Sequence, residues 1–288
     1  MKHARILHNR SIVAGIVSDD ETSIRLETGE SISFANAQFL SPVLPSKIIA
    51  CHLSYTSRCV EYKMKRIPEY PSYFMKPLSS LSHHKADVAR PRGCKFLNYE
   101  GEIGVVISKR CSNVSMDDAL SYARGYVVAN DWGVHDFRHA DRGSMLRVKG
   151  QDGFCPLGPF MVDANDIDPK NVTLRTYVNG KIVQEAHTGS DMLFSFAYQI
   201  ADLSRLITLE EGDVILTGTP ANSRPVEIGD VVEVEASGIG KLTNTVVELD
   251  RDLVNIGDPP MISANTLHVA LAITEEEAER QVGAYDRN

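Results

Sequence analysis

The sequence predicts a mixed, mainly β fold with a few short helices. Short runs of β-branched and apolar residues recur along the chain, separated by turn residues. Hairpin signatures such as Asn179-Gly180 join some of these runs. Helical periodicity is confined to a few stretches, chiefly 194–206, where Ile200, Leu203 and Leu206 share a face. The chain has 288 residues, 43 % of them hydrophobic and 24 % charged, which is enough apolar material for a sizeable core.

Residues 1–46 read as a small N-terminal β module, with strands around 11–17, 23–27 and 31–34, closed by Pro42-Val-Leu-Pro45. His3 and His8 are expected at its surface. Residues 47–288 read as the main domain, catalytic by its side chains, with a C-terminal helical tail. Its first buried strand is 47–53. Residues 54–66 are polar and suit a helical turn, on which Arg58 and Glu61 would face the same way, as a solvated ion pair or as part of a mobile flap. A short strand at 73–76 ends in Lys76, and 77–91 read as a loop.

Residues 115–122 carry a capping-box-like start to a short helix. Residues 125–131 form a buried strand ending in Asp131, and Phe154-Cys-Pro-Leu-Gly-Pro159 reads as a rigid apolar turn. A hairpin turns at Asn179-Gly180, and residues 211–220 run from a strand into a tight loop. Two more strands meet at Gly238-Ile-Gly240. Thr274-Glu-Glu-Glu277 opens what reads as a surface helix.

A net charge of −8 argues against general nucleic-acid or membrane-surface binding. No apolar run reaches the roughly 18 residues of a spanning helix, and the N-terminus lacks a signal-peptide core. Five cysteines, without a CxxC pair, suit buried thiols in a reducing cytoplasm rather than a zinc cluster or disulfide framework.

The chemistry concentrates in 98–149. Glu100 and Glu102 alternate with apolar residues on a strand, so both carboxylates project from one face, roughly 7 Å apart at Cβ. Their repulsion would be relieved by a cation between them. Taken alone the pair also fits a solvated strand face, and Asp131 fits either a turn or a ligand aimed into a cleft. His135, Arg138, His139, Arg142, Arg147 and Lys149 then form the most basic short region of the chain, read either as a solvated loop or as an anion-binding rim.

Taken together, Tyr99-Glu-Gly-Glu-Ile-Gly-Val-Val-Ile, Gly125-Tyr-Val-Val-Ala-Asn-Asp, Lys149 before Cys155-Pro-Leu-Gly-Pro, Val178-Asn-Gly and Leu216-Thr-Gly-Thr-Pro resemble the fumarylacetoacetate hydrolase superfamily, in order over about 48–250. The run Met145-Leu-Arg-Val-Lys149 and its distance from Asp131 look most like the bacterial homoprotocatechuate-pathway decarboxylase/isomerases. The resemblance implies a β-sandwich or β-roll catalytic domain, usually a homodimer. It also implies Mg²⁺ (or Mn²⁺) held by Glu100, Glu102 and Asp131, a set suited to a hard cation. Lys149 maps to the lysine beside the metal and Thr219 to a threonine that helps hold the substrate carboxylate.

Two departures from the family pattern stand out, in the flap and after the aspartate. Many family hydrolases carry a His-x-x-Glu pair in the flap, where this chain has Arg58 and Glu61. They also commonly carry an arginine and a glutamine where this chain has His135 and Arg138. Arginine stays protonated and is no general base. The expected activity is therefore metal-dependent decarboxylation and isomerisation of an unsaturated 2-oxo di- or tricarboxylic acid from aromatic catabolism. In this reading the metal chelates the 2-oxo acid and stabilises an enolate. Glu61 and Lys149 are the expected proton carriers, and Arg58, Lys76, His135, Arg138 and Thr219 the expected substrate contacts. The alternatives are an acylpyruvate-type C–C hydrolase and a catalytically silent 2-oxo acid binding protein.

Overall fold

The structure, a computed structural model, describes residues 1–253 and 260–285. It is mainly β, as the residue pattern predicts, with several short helices. Twelve strands form one large sheet. Its centre runs Cys155–Asp163, Ala123–Asn130, Gly101–Ile107, Val214–Leu216, Ile48–His52 and Ser72–Lys76. The strand Gly101–Ile107 is buried along its whole length. A five-stranded sheet, built on the hairpin Thr173–Val178 and Lys181–His187 with Val231–Ala236, Gly240–Asp252 and Asp87–Arg92, packs across that centre. Ile103, Val105, Tyr126, Phe160, Leu174, Val234 and Leu242 fill the space between the sheets, the arrangement expected of strands with one inward face each.

Gly101 is required by this packing. A Cβ there would lie 2.1 Å from Thr176 Oγ1 on the second sheet, so the residue between the two glutamates must be the smallest one. The turn at Asn179-Gly180 has φ of 51° and 76°, the left-handed pair a tight hairpin needs.

The first 46 residues continue the large sheet rather than standing apart from it: Lys2 and His3 pair with Val162 and Met161. His3 Nε2 meets Asp163 at 2.8 Å and His8 Nε2 meets Glu30 at 3.1 Å. Residues 87–92, expected in a loop, form an edge strand parallel to Gly240–Asp252. Pro91 is tolerated there because an edge strand has one side without ladder partners. The expected turn at 154–159 is mostly the start of the strand Cys155–Asp163. The helix expected from Ser115 is a 3₁₀ turn at Ala119–Tyr122, with Ser115 Oγ accepting from Asp118 N at 3.2 Å.

The tail contains two helices, Ala264–Leu271 and Glu275–Tyr285, packed through Phe96, Leu267, Ala270 and Ala278. All five cysteines are free and buried. No helix among the described residues is long and apolar enough to cross a membrane.

Candidate metal centre

Backbone pairing brings the three acids together. Gly101 pairs with Asn130 across the central strands, so Glu100 and Asp131 stand side by side just beyond that pair. Asp131 N donates to Glu100 O at 2.8 Å, and Glu100 N donates to Asn130 Oδ1 at 2.8 Å. Glu102 follows on the same strand. One carboxylate oxygen from each of Glu100, Glu102 and Asp131 lies within 4.8 Å of the others, and all three residues are buried.

Their supports differ. Lys149, 2 % exposed, donates to Glu100 Oε2 and to Asp131 O, each at 2.6 Å, and reaches Asp131 Oδ2 at 3.1 Å. The short helix Leu146–Lys149 that carries it is anchored by Asp141, which accepts from Arg147 N and Val148 N at 3.0 and 2.8 Å. Lys76 Nζ donates to Asp131 Oδ1 and to the Lys149 carbonyl. Arg58, on the helix Thr56–Glu61, bonds Glu100 Oε1 at 2.9 Å and Glu61 Oε2 at 3.0 Å. Gly218 N donates to Glu102 Oε2 at 2.8 Å.

Burial raises Glu102 well above the usual carboxylate range, and the charges of Asp131 and Glu100 add to the effect. Asp131 is also penalised by burial, but Lys149 and Lys76 outweigh this and lower it. Burial opposes the Lys149 charge, yet Asp131 and Glu100 hold the ammonium protonated. A divalent cation fits this donor set. It would relieve the repulsion on Glu102, and three carboxylates without thiol or imidazole suit a hard ion such as Mg²⁺ or Mn²⁺.

The cluster opens into a cavity of about 1020 Å³, lined also by Arg58, His135, Arg138, Lys149 and Thr219. His135 is fully enclosed and neither ring nitrogen has a partner; burial, then Arg138, holds it far below ordinary basicity. Thr219 Oγ1 accepts from Gln184 Nε2 at 3.0 Å. Lys76 lies outside the cavity lining, behind Asp131. Glu61 does not line it either. Its oxygens accept from Arg58, from Arg224 at 2.7 Å and from Asn222 N at 2.9 Å.

Several contributors carry no signal in the sequence. Gln184 bonds Gly101 N, Thr219 and Pro220 O, yet it sits in an ordinary alternating strand. Tyr62 lies under the Arg58 guanidinium and against the His268 ring. The tail helix read as a surface element supplies Glu275 and Glu276 to the cavity wall. Only Asn130, beside the anticipated Asp131, lay within reach of the motif.

Fold and site together define a mainly β protein with a buried three-carboxylate cluster, a candidate metal site, opening into a cavity of small-molecule size. The chain belongs to the fumarylacetoacetate hydrolase family: the family model for the fumarylacetoacetate (FAA) hydrolase C-terminal domain matches residues 47–247. The 4-hydroxyphenylacetate degradation bifunctional isomerase/decarboxylase of Escherichia coli is 40 % identical over 210 residues, covering 72 % of this chain and 48 % of that protein. The match therefore spans about half of that relative. A solved structure of 5-carboxymethyl-2-hydroxymuconate delta-isomerase from Mycobacterium smegmatis superposes with a TM-score of 0.79 at 34 % identity, covering 87 % of this chain and 100 % of that one. Maleylpyruvate hydrolase from Sphingobium sp. SYK-6, solved with manganese(II) and pyruvate, gives 0.74 at 25 % identity, covering 86 % and 99 %.

Proposed function

We propose that the protein is a divalent-metal-dependent decarboxylase/isomerase of an unsaturated 2-oxo acid with further carboxylates, acting in aromatic-compound catabolism. The observation that carries this reading is Arg58. At the flap position where family hydrolases carry a histidine, this chain places a guanidinium paired with Glu100 and Glu61, which cannot take a proton from water. Of the three imidazoles that line the cavity, His268 is tied through Nδ1 to the Ile273 carbonyl at 2.6 Å, and the other two, His52 and His135, are poor bases. His52 is pulled down to about 4 by burial and then by Arg138, and His135 is lowered by the same two causes. Loss of CO₂ or migration of a double bond needs charge stabilisation and proton placement rather than an activated water.

When bound by Glu100, Glu102 and Asp131, Mg²⁺ or Mn²⁺ supplies Lewis-acid stabilisation for charge developing on a 2-oxo acid. Lys149 holds a proton at Nζ against Glu100 and Asp131, which supports reading it as the residue that delivers one to the substrate once those contacts open. Lys76 braces Asp131, and Arg58 braces Glu100. The Thr219 hydroxyl, whose oxygen already accepts from Gln184, keeps its own proton free to donate to a carboxylate. Glu61, bonded by Arg58, Arg224 and Asn222, orders the flap and would carry a proton only once those contacts open. The three acids are matched by Arg58, Lys76 and Lys149, so a divalent ion adds surplus positive charge that an anionic substrate balances. The family resemblance supports a homodimer in the cytoplasm, which sedimentation and fractionation would check.

The test is to incubate Mg²⁺-loaded protein with oxaloacetate, acylpyruvates and 5-carboxymethyl-2-oxo-hex-3-ene-1,7-dioate, measuring CO₂ and pyruvate. CO₂ release from the last compound is the expected result. Pyruvate release from acylpyruvates alone would replace this reading with a C–C hydrolase. Binding without turnover of any compound would leave a catalytically silent 2-oxo acid binding protein.

A further inference from the structure

Beside the carboxylate cluster the cavity joins a smaller chamber of about 360 Å³, lined by His52, Arg138, His139, Arg142, Met145 and Asn265 along with Gly143. His52, Arg138, Met145 and Asn265 belong to both walls. The chamber differs in charge from the rest of the cavity. No carboxylate lines it, and its titratable side chains are two guanidiniums and two imidazoles. The main cavity carries Glu100, Glu102 and Asp131 at its base and Glu275 and Glu276 in its wall.

The polar groups at the junction also lack partners. Arg138 makes no ion pair among the described residues, and its Nε is buried without a hydrogen bond. The nearest acid on its own helix, Asp141, is engaged with Arg147, Val148 N and Ser144. His52 Nε2 is buried without a partner as well, as are both nitrogens of His135 in the wall of the main cavity. Phe74 stacks on the His52 ring at 4.6 Å and holds its orientation. Unmet buried donors are destabilising, and they converge where a ligand can meet them. A carboxylate offers the four lone-pair sites and the single negative charge that one guanidinium flanked by imidazoles can satisfy.

Resting on the proposed 2-oxo acid chemistry, we infer that the chamber seats the substrate's second carboxylate, with Arg138 as the specificity-determining residue. His52 flanks that carboxylate, and the exposed Arg142 and His139 draw the dianion in from solvent.

The experiment compares 2-oxoadipate with 2-oxohexanoate, which has the same chain length but lacks the far carboxylate. Binding to Mn²⁺-loaded protein is measured by calorimetry. The unaltered protein is expected to bind the dicarboxylate roughly 10- to 100-fold more tightly, the worth of a charge-assisted hydrogen-bonded contact. Arg138→Gln, which keeps a planar amide and removes the charge, is expected to erase that preference while Mn²⁺ binding stays intact. Arg142→Ala, on the exposed rim and safe for folding, is expected to slow association of the dicarboxylate most at low salt. Equal affinity for the two acids, or a preference that survives Arg138→Gln, overturns the inference alone. If neither acid binds the unaltered protein, the 2-oxo acid reading fails and takes this inference with it.

Discussion

Glu102 shows how this chain trades stability for a site. Its neighbours on the same wall are also acids, its burial is nearly complete, and its single backbone donor, Gly218 N, only partly offsets both effects. Replacing it with glutamine keeps the shape and the acceptor for Gly218 but removes the charge. Glu102→Gln is therefore expected to move two observables in opposite directions. Without metal, its melting temperature should rise by about 2–4 °C, the shift roughly 1 kcal/mol produces in a chain of this size. Its affinity for Mn²⁺ should fall by about 100-fold or more, as one of three charged ligands is lost. A calorimetric melt and a Mn²⁺ titration decide it. Unchanged Mn²⁺ affinity would remove Glu102 from the metal centre. At this scale the sequence was informative because strand alternation places the Glu100 and Glu102 carboxylates on one face. It was silent on Gln184, whose partners Gly101, Thr219 and Pro220 all come from other strands and loops.

Among the elements, the loop after the strand Val214–Leu216 links the cluster to the cavity wall. Gly218 sits there at φ +98°, where an added Cβ would lie 2.6 Å from Ser54 Cβ. Its N–H is aimed at Glu102 only because the backbone takes this form, and Thr219 follows directly into the cavity. Gly218→Ala is expected to cost about 1–3 kcal/mol in stability from the strained backbone. It should also weaken Mn²⁺ binding by turning that N–H away from Glu102. Urea denaturation and a Mn²⁺ titration measured together test this; a stability loss with unchanged Mn²⁺ affinity would show that the N–H does not position the ligand. The tight loop itself was legible from Thr217-Gly-Thr-Pro. The strand Asp87–Arg92 was not, because nothing local in a polar segment containing Pro91 signals pairing with Gly240–Asp252. The tail helix is a surface element, as its sequence suggests, with Glu275 and Glu276 exposed and only Ala278 buried. What the sequence did not show is that the apolar cluster of Phe96, Leu267 and Ala278 seats it where those two acids also line the cavity.

At the scale of the whole molecule, His84 sits where the large sheet, including its N-terminal strands, meets the five-stranded sheet. Its ring packs edge-on against Phe39 with centroids 5.1 Å apart, and its Nδ1 accepts from Thr243 N at 3.1 Å. A Cβ added at Gly158 would lie 3.6 Å from its own Cβ. Burial, and then the charges of Lys85 and His83, lower it from 6.5 to about 4. In the unfolded chain the imidazole titrates near its ordinary value, so between about 6.5 and 4 the unfolded state binds the proton and the native state does not. The stabilisation is thus present above the unfolded value and is lost as pH falls through this window, by at most about 3 kcal/mol. His84→Asn keeps an acceptor for Thr243 N and removes the titration. It is expected to be less stable than the parent by about 1–2 kcal/mol at pH 7, through lost ring packing. The gap should close or reverse by pH 4.5, and urea midpoints for both proteins at half-unit pH steps would show it. Parallel pH profiles would mean that His84 titrates alike in the folded and unfolded chains, and that the junction of the two sheets is not where acid weakens this fold.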